Sequence, residues 1–284
     1  MSHTDTLAVL RDVFIVAMLS LGAAIGLYKA LRHWSDRPWN LEGNVLVRPF
    51  GGSDLVAALL LLFVFGSIFF PAGMARSVPA DAEAVAEVSL SSLLGHTVGM
   101  LFICCMVLSH MIALRGLNPG EMFGLRQMSV KRALMHAVRA LGVTIGGMWL
   151  VLAAVVAVNG SNLPDTSSQE IVQSFEKSQS LAFRILLGLT AVITAPLTEE
   201  LLFRGFLYGI VKRYTERWFA AVFTSVMFSV VHLHVGTAPQ LFILGLGLAI
   251  AYEHTGCLLV PVFMHALFNA WNISVLTYLS ATAL

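Results

Sequence analysis

The sequence predicts an all-α fold, a polytopic transmembrane bundle of about eight helices, and three observations carry that prediction. Charged residues make up 12% of the 284 residues, 17 Lys and Arg against 16 Asp and Glu, about half the share usual in a soluble globular protein. Hydrophobic residues make up 57% and the mean hydropathy is +0.82, which leaves too little polar surface to cover a soluble globule. Apolar runs of the length needed to cross a bilayer core as helix, about 20 residues, recur along the chain. Composition therefore excludes a soluble enzyme, a disordered tail and a basic nucleic-acid binder. The net charge of +1 says nothing about partners, because in a membrane protein the position of each charge matters more than the sum.

The predicted spans are Val13–Tyr28, Leu55–Ala75, Leu93–Leu114, Ala140–Val158, Ile185–Val211, Trp218–Val235, Pro239–Tyr252 and Cys257–Leu284. The first is read as a span rather than a signal peptide. It lacks a clear small-x-small cleavage site, and acidic Asp5 and Asp12 precede it. The seventh is short and carries Gly245 and Gly247, so a re-entrant or oblique course stays open. Basic residues alternate with the loops. Lys29, Arg32, Arg37 and Arg48 follow the first span; Arg115, Arg126, Lys131, Arg132 and Arg139 follow the third; Lys212, Arg213 and Arg217 follow the fifth. The loops after the second and fourth hold Arg76, Lys177 and Arg184 among six acidic residues, Asp81, Glu83, Glu87, Asp165, Glu170 and Glu176. By the positive-inside rule the odd loops face the cytoplasm and both termini face outward.

Two halves follow. Residues 1–158 form an N-terminal transmembrane half of about four helices with no recognisable motif. A polar stretch, Asn159–Ser180, reads as an outer loop, and residues 181–284 form a second half of about four helices that holds the unusual polar residues. No internal repeat is evident, which weighs against a transporter built from duplicated halves. Cys104, Cys105 and Cys257 lack metal or redox spacing and read as small apolar helix residues.

The fifth span carries Glu199, Glu200 and Arg204 between apolar flanks. Each charge at mid-membrane costs roughly 2.5–3.5 kcal/mol on insertion scales, so such groups pair, line a wet cavity or work. Glu200 and Arg204 stand at i, i+4 and share a helix face. Glu199 lies about 100° round the helix, so it is the less compensated carboxylate. A carboxylate taken out of water becomes a better proton acceptor. A purely structural ion cluster is the other reading of these three residues. Pro196 deletes a backbone hydrogen bond one turn before Glu199, tolerable in a membrane where protein or cavity water serves the freed carbonyl.

The sixth span ends in Phe228-x-x-x-His232, with His234 nearer its outer end, and the eighth holds Pro261 and His265-x-x-x-Asn269. His232 and His234, two residues apart, point to different sides of a helix, so they do not read as a metal pair. His265 and Asn269 share a face, and two donors aimed at one point suit an oxyanion hole. His96 and His110 have no polar companions in the sequence and read as structural; Asn272 reads as an interfacial anchor. At 1.5 Å per residue, His265 and Asn269 lie roughly 12 and 18 Å in from the cytoplasmic end of their span. Glu199 is near mid-span and His232 a little beyond it, so one site inside the bilayer, opening toward the cytoplasm, accommodates all four.

Taken together, Glu199-Glu200-x-x-x-Arg204, Phe228-x-x-x-His232 and His265-x-x-x-Asn269 resemble the CPBP family, the CAAX-prenyl endopeptidases and bacteriocin-processing proteins also called the Abi family. Phe203-Arg204-Gly205, Thr255-Gly256 and Pro261 extend the likeness, which covers roughly 181–279. The resemblance implies an intramembrane endopeptidase with Glu199 as general base, His232 helping to hold the water, and Glu200 and Arg204 positioning Glu199. It implies His265 and Asn269 as the oxyanion donors, and a metal-independent mechanism with no cofactor. Glu199, His232 and His265 are also the donor types of a zinc site, although no H-E-x-x-H is present. The implied partners are the lipid bilayer and a peptide or protein substrate, lipidated or membrane-embedded; nucleic acid is not among them. The implied location is integral and multi-pass, in the plasma (inner) membrane if the source is bacterial. A non-catalytic scaffold or immunity-type protein of the same fold is the alternative function, and a proton-coupled transporter the more distant one.

Overall fold

A computed structural model describes residues 43–74, 89–159, 180–232 and 237–282. The predicted first span, residues 160–179 of the polar stretch, and His234 lie outside the described residues. Within them the chain is helical and contains no strand. The helices are α1 (Gly52–Met74), α2 (Leu90–Leu114), α3 (Pro119–Met122), α4 (Val130–Asn159), α5 (Leu181–Tyr214), α6 (Arg217–Val230), α7 (Ala238–Thr255) and α8 (Leu259–Thr282). By length and composition Leu90–Leu114, Val130–Ala153 and Leu181–Tyr214 can each cross a membrane, and shorter apolar helices lie at Gly52–Gly66, Arg217–Val230 and Leu259–Val275. The protein is an all-α membrane helical bundle.

Helix ends differ from the apolar runs for local reasons. Helix α4 starts ten residues before the predicted Ala140, because its first turns are amphipathic rather than apolar. Ala133 and Ala137, one turn apart, are buried while Lys131, Arg132 and Arg139 face outward. Between α2 and α4, Asn118 caps α3 by accepting from the Gly120 amide at 2.9 Å, and Pro119 occupies the first helical position. Helix α7 ends on Gly256, whose φ of +65° is the left-handed conformation that glycine adopts without strain. Helix α6 stops at Val230, so His232 follows the helix in a turn instead of riding on it.

Helix α5 is central. From Thr198 through Lys212 every residue is buried, the pattern of a helix surrounded on all sides. Helix α2 packs along it on one side, α6 and α8 on others; α7 packs on α6, and α4 lies against both α7 and α8. A Cβ at Gly247 of α7 would collide with Thr144 of α4, so that crossing depends on the missing side chain. Two segments of the N-terminal half close one end of the C-terminal helices. The Phe123 carbonyl accepts the Leu258 amide at 2.9 Å, and Asn44 donates to the His254 carbonyl at 2.6 Å. Phe50 meets Phe206 edge-on at 5.9 Å between centroids.

Candidate active site

The centre of α5 departs twice from α-helical winding, with π-helical turns at Thr190–Thr194 and Leu201–Tyr208 on either side of Ala195–Glu200. Wider turns of this kind recur at functional sites. Here the first absorbs Pro196 and the second carries Arg204. Threonine side chains fasten this stretch to α2: Thr190 and Thr97 hydroxyls meet at 2.9 Å, and the Cys104 thiol donates to the Thr198 hydroxyl at 3.2 Å.

Glu200 and Arg204 are completely buried. Arg204 Nη1 donates to Glu200 Oε1 at 2.7 Å, and Nη2 donates to the Gly245 carbonyl on α7 at 3.1 Å. The guanidinium carbon lies 4.5 Å from the Phe228 ring centre, within cation–π range. His265 Nδ1 approaches Glu200 Oε1 at 2.9 Å; since the carboxylate of an ion pair only accepts, Nδ1 carries the proton. Glu200 is thus held by one cation from its own helix and one ring from α8.

Glu199, 7% exposed, turns to the other side. Its Oε2 lies 3.9 Å from His232 Nε2 and 3.9 Å from His265 Nε2, and makes no direct hydrogen bond. These distances exceed a hydrogen bond and match the reach of a single bridging water. His232 Nδ1 donates to the Phe228 carbonyl at 2.7 Å, a bond open to it because α6 has just ended and the His232 amide turns to Ser229 instead. With the proton on Nδ1, Nε2 is the nitrogen that faces Glu199 and, in the neutral tautomer, it is a bare acceptor. Phe228 lies under the whole group, 4.8 Å from the His232 ring and 5.7 Å from that of His265.

Five of the six residues singled out from sequence, Glu199, Glu200, Arg204, His232 and His265, converge here. Asn269 lies one turn further along α8, and its amide Nδ2 donates to the Ala191 carbonyl at 2.8 Å. Sequence reasoning missed Gly245 as an acceptor, since a helical glycine carbonyl carries no signal. It placed Phe228 in a motif without seeing that the ring supports three charged or polar groups. It also read His110 as lacking polar companions. His110 Nε2 bonds Asp54 Oδ1 at 2.8 Å, and Arg115 Nε bonds the same oxygen at 3.0 Å. The partner lies 56 residues away in sequence, beyond the reach of helical spacing. That cluster ties α1 to α2 and stays structural. Among the described residues no group of three or more His, Cys, Asp or Glu side chains is arranged to hold a metal ion.

Residues 181–271 match the family model described as type II CAAX prenyl endopeptidase, Rce1-like. Over these helices the chain resembles the CAAX protease family. The matched CAAX-protease helices are α5 through most of α8, and they contain all six candidate residues. Among curated proteins, the chain is 33% identical over 130 residues to an "Uncharacterized 24.3 kDa protein" of Escherichia coli, covering 43% of this chain and 60% of that one. It is 22% identical over 206 residues to "Putative membrane peptidase YdiL" of Bacillus subtilis, covering 72% of this chain and 79% of that one. It is also 28% identical over 157 residues to Aquaporin-5 of Rattus norvegicus, covering 54% and 53%. No solved structure matches. The peptidase likeness is the one the family model repeats over the motif-bearing helices, and the three helices long and apolar enough to cross a membrane agree with an integral membrane protein.

Proposed function

We propose that this protein is an intramembrane endopeptidase that hydrolyses a peptide bond with a water activated by Glu199. The observation that carries the reading is the buried Oε2 of Glu199, without a direct partner and equidistant from two imidazole nitrogens. A water there donates one proton to Glu199 and the other to the bare Nε2 of His232. Glu199 takes its proton as the oxygen attacks the carbonyl carbon, and returns it to the leaving amine when the C–N bond breaks. His265 faces the same space with Nε2, and with Nδ1 already donating to Glu200 it must be doubly protonated to donate to the oxyanion. An imidazolium there offsets the second carboxylate, since Arg204 supplies one positive charge against Glu199 and Glu200. Asn269, the second donor by resemblance, has one amide hydrogen on Ala191 and one left.

Metal plays no part in this reading; the scaffold carries its own base and its own donors. The substrate is a peptide or protein presented at the membrane, lipidated or membrane-embedded, and in a bacterium the enzyme acts in the plasma membrane. General bases contribute about 10²–10⁴-fold, so Glu199→Gln and His232→Ala in purified protein should each lower cleavage by at least about a hundredfold. Chelators should leave the wild-type rate unchanged. Full activity in folded Glu199→Gln protein would sink the mechanism. Terminal-peptide mass spectrometry of membranes carrying wild type or Glu199→Gln identifies the substrate. The buried Glu200–Arg204–His265 cluster also suits a non-catalytic scaffold, which predicts that Glu199→Gln keeps the cellular phenotype.

A further inference from the structure

The carbonyl of Ala191 is stripped of both backbone donors that helix α5 could offer it. In α-helical register its donor is the Ala195 amide, and that amide is bonded to the Thr190 carbonyl in the π-helical turn. In π-helical register its donor is residue 196, a proline with no N–H. A carbonyl orphaned inside a membrane bundle costs a kcal/mol or more unless something serves it, on the order of the usual desolvation penalty. The group that serves it is Asn269 Nδ2 from α8, at 2.8 Å, reaching across 78 residues of sequence. Three residues after the proline stands Glu199, whose carboxylate must hold its place between two rings.

We infer that Asn269 is a positioning residue: its amide replaces the backbone donor that Pro196 removes, pins the broken stretch of α5 to α8, and so fixes Glu199 relative to His265, which sits one turn away from Asn269 on α8. This rests on the endopeptidase reading only where activity is measured. The hydrogen bond itself is testable without substrate. The conversion of Pro196 to Ala returns a backbone donor, either the residue 196 amide in π register or the Ala195 amide in α register, and makes the side-chain donor redundant.

The test is a double-mutant cycle in full-length, detergent-purified protein with Asn269→Ala, Pro196→Ala and the pair, reading melting temperature and, separately, kcat and KM. Asn269→Ala alone should lower the melting temperature by several degrees and kcat by about tenfold with KM little changed. In the Pro196→Ala background the same substitution should lose most of its melting cost and part of its kcat cost, because contacting groups are non-additive; the remainder of the kcat cost is that of the oxyanion donor. An undiminished melting cost of Asn269→Ala in that background overturns the inference. Asn269→Asp checks it without touching the proline. It sets an acceptor against the Ala191 carbonyl, so it should melt lower than Asn269→Ala. Asn269→Ala and Asn269→Asp variants that both melt like wild type would overturn the inference and leave the side chain a donor to the reaction alone. If the melting cycle couples while no peptidase activity is found, the bond stands and the endopeptidase reading falls.

Discussion

Arg204 has three simultaneous duties: it balances Glu200, it serves the Gly245 carbonyl, and it lies on the Phe228 ring. A guanidinium meets them together because its donors are spread across a rigid plane, whereas an ammonium is a point. Arg204→Lys should therefore keep the protein charged but loosen Glu200 and α7, with cleavage falling at least about tenfold and melting lowered, read in the same detergent preparation. Arg204→Met should be worse, since it strips a buried carboxylate of its arginine and leaves only the His265 ring on it, a loss approaching the cost of about 3–5 kcal/mol for breaking a buried pair. Phe228→Leu keeps apolar volume but removes the ring face. Cation–π contacts contribute about 0.5–2 kcal/mol, so the variant should stay folded, lose part of that stability by thermal melting, and cleave more slowly.

At the scale of the helix, the interest is in where regular winding is given up. Pro196 and the wider turns beside it let α5 present Glu199 to one side and Glu200 with Arg204 to the other. The close α4–α7 crossing at Gly247 holds the Gly245 carbonyl in reach of Arg204. Gly247→Val should push α4 from α7, lowering melting by the cost of overpacking, about 1–3 kcal/mol, with turnover falling because Arg204 loses its α7 acceptor. How much of this was legible in the sequence varies with range. The spans within the described residues were legible because long apolar runs mean little else, and Glu200–Arg204 was legible because i, i+4 is a local rule. The start of α4 was not, since Ala133 and Ala137 bury a face too narrow for a hydropathy run. The Asp54–His110 pair, the Gly245 acceptor and the Asn269–Ala191 bond were hidden for a different reason: each joins residues far apart in sequence, and spacing carries no information across a tertiary contact.

Among the described residues, buried charge is paired in three separate places, and the site is only one of them. At the end of the bundle where α5 and α7 finish, Lys212 is fully buried and bonds Glu253 at 2.8 Å. Tyr208 donates to the other oxygen of that carboxylate at 2.6 Å. Lys212 also donates to the Val45 carbonyl at 3.3 Å, so a hydrogen bond from the ion-paired lysine stitches the N-terminal half to α5 and α7. Glu253→Gln leaves that lysine without its countercharge and should cost about 3–5 kcal/mol of stability, while folded protein cleaves at the wild-type rate. Unfolding curves and turnover of the surviving fraction separate the two. The loop charges add an expectation about orientation: a single cysteine at Ser129, in a cysteine-free background, should react with an impermeant thiol reagent only from the cytoplasmic face.

Helix α6 brings His232 to the site by being short. Fourteen residues rise about 21 Å, against a hydrocarbon core of about 30 Å. Helix α5 beside it, and α4 on the other side of α7, are long enough to cross with turns to spare. The outward side of α6 carries exposed Trp218, Val222, Val226 and Val230, an apolar flank shorter than the hydrocarbon core. Lipids beside that flank must shorten or tilt to meet it, a mismatch that costs fractions of a kcal/mol per Å. Reconstituted in vesicles of increasing acyl-chain length, the enzyme should slow as the bilayer thickens, so membrane thickness becomes a quantity to which its turnover responds.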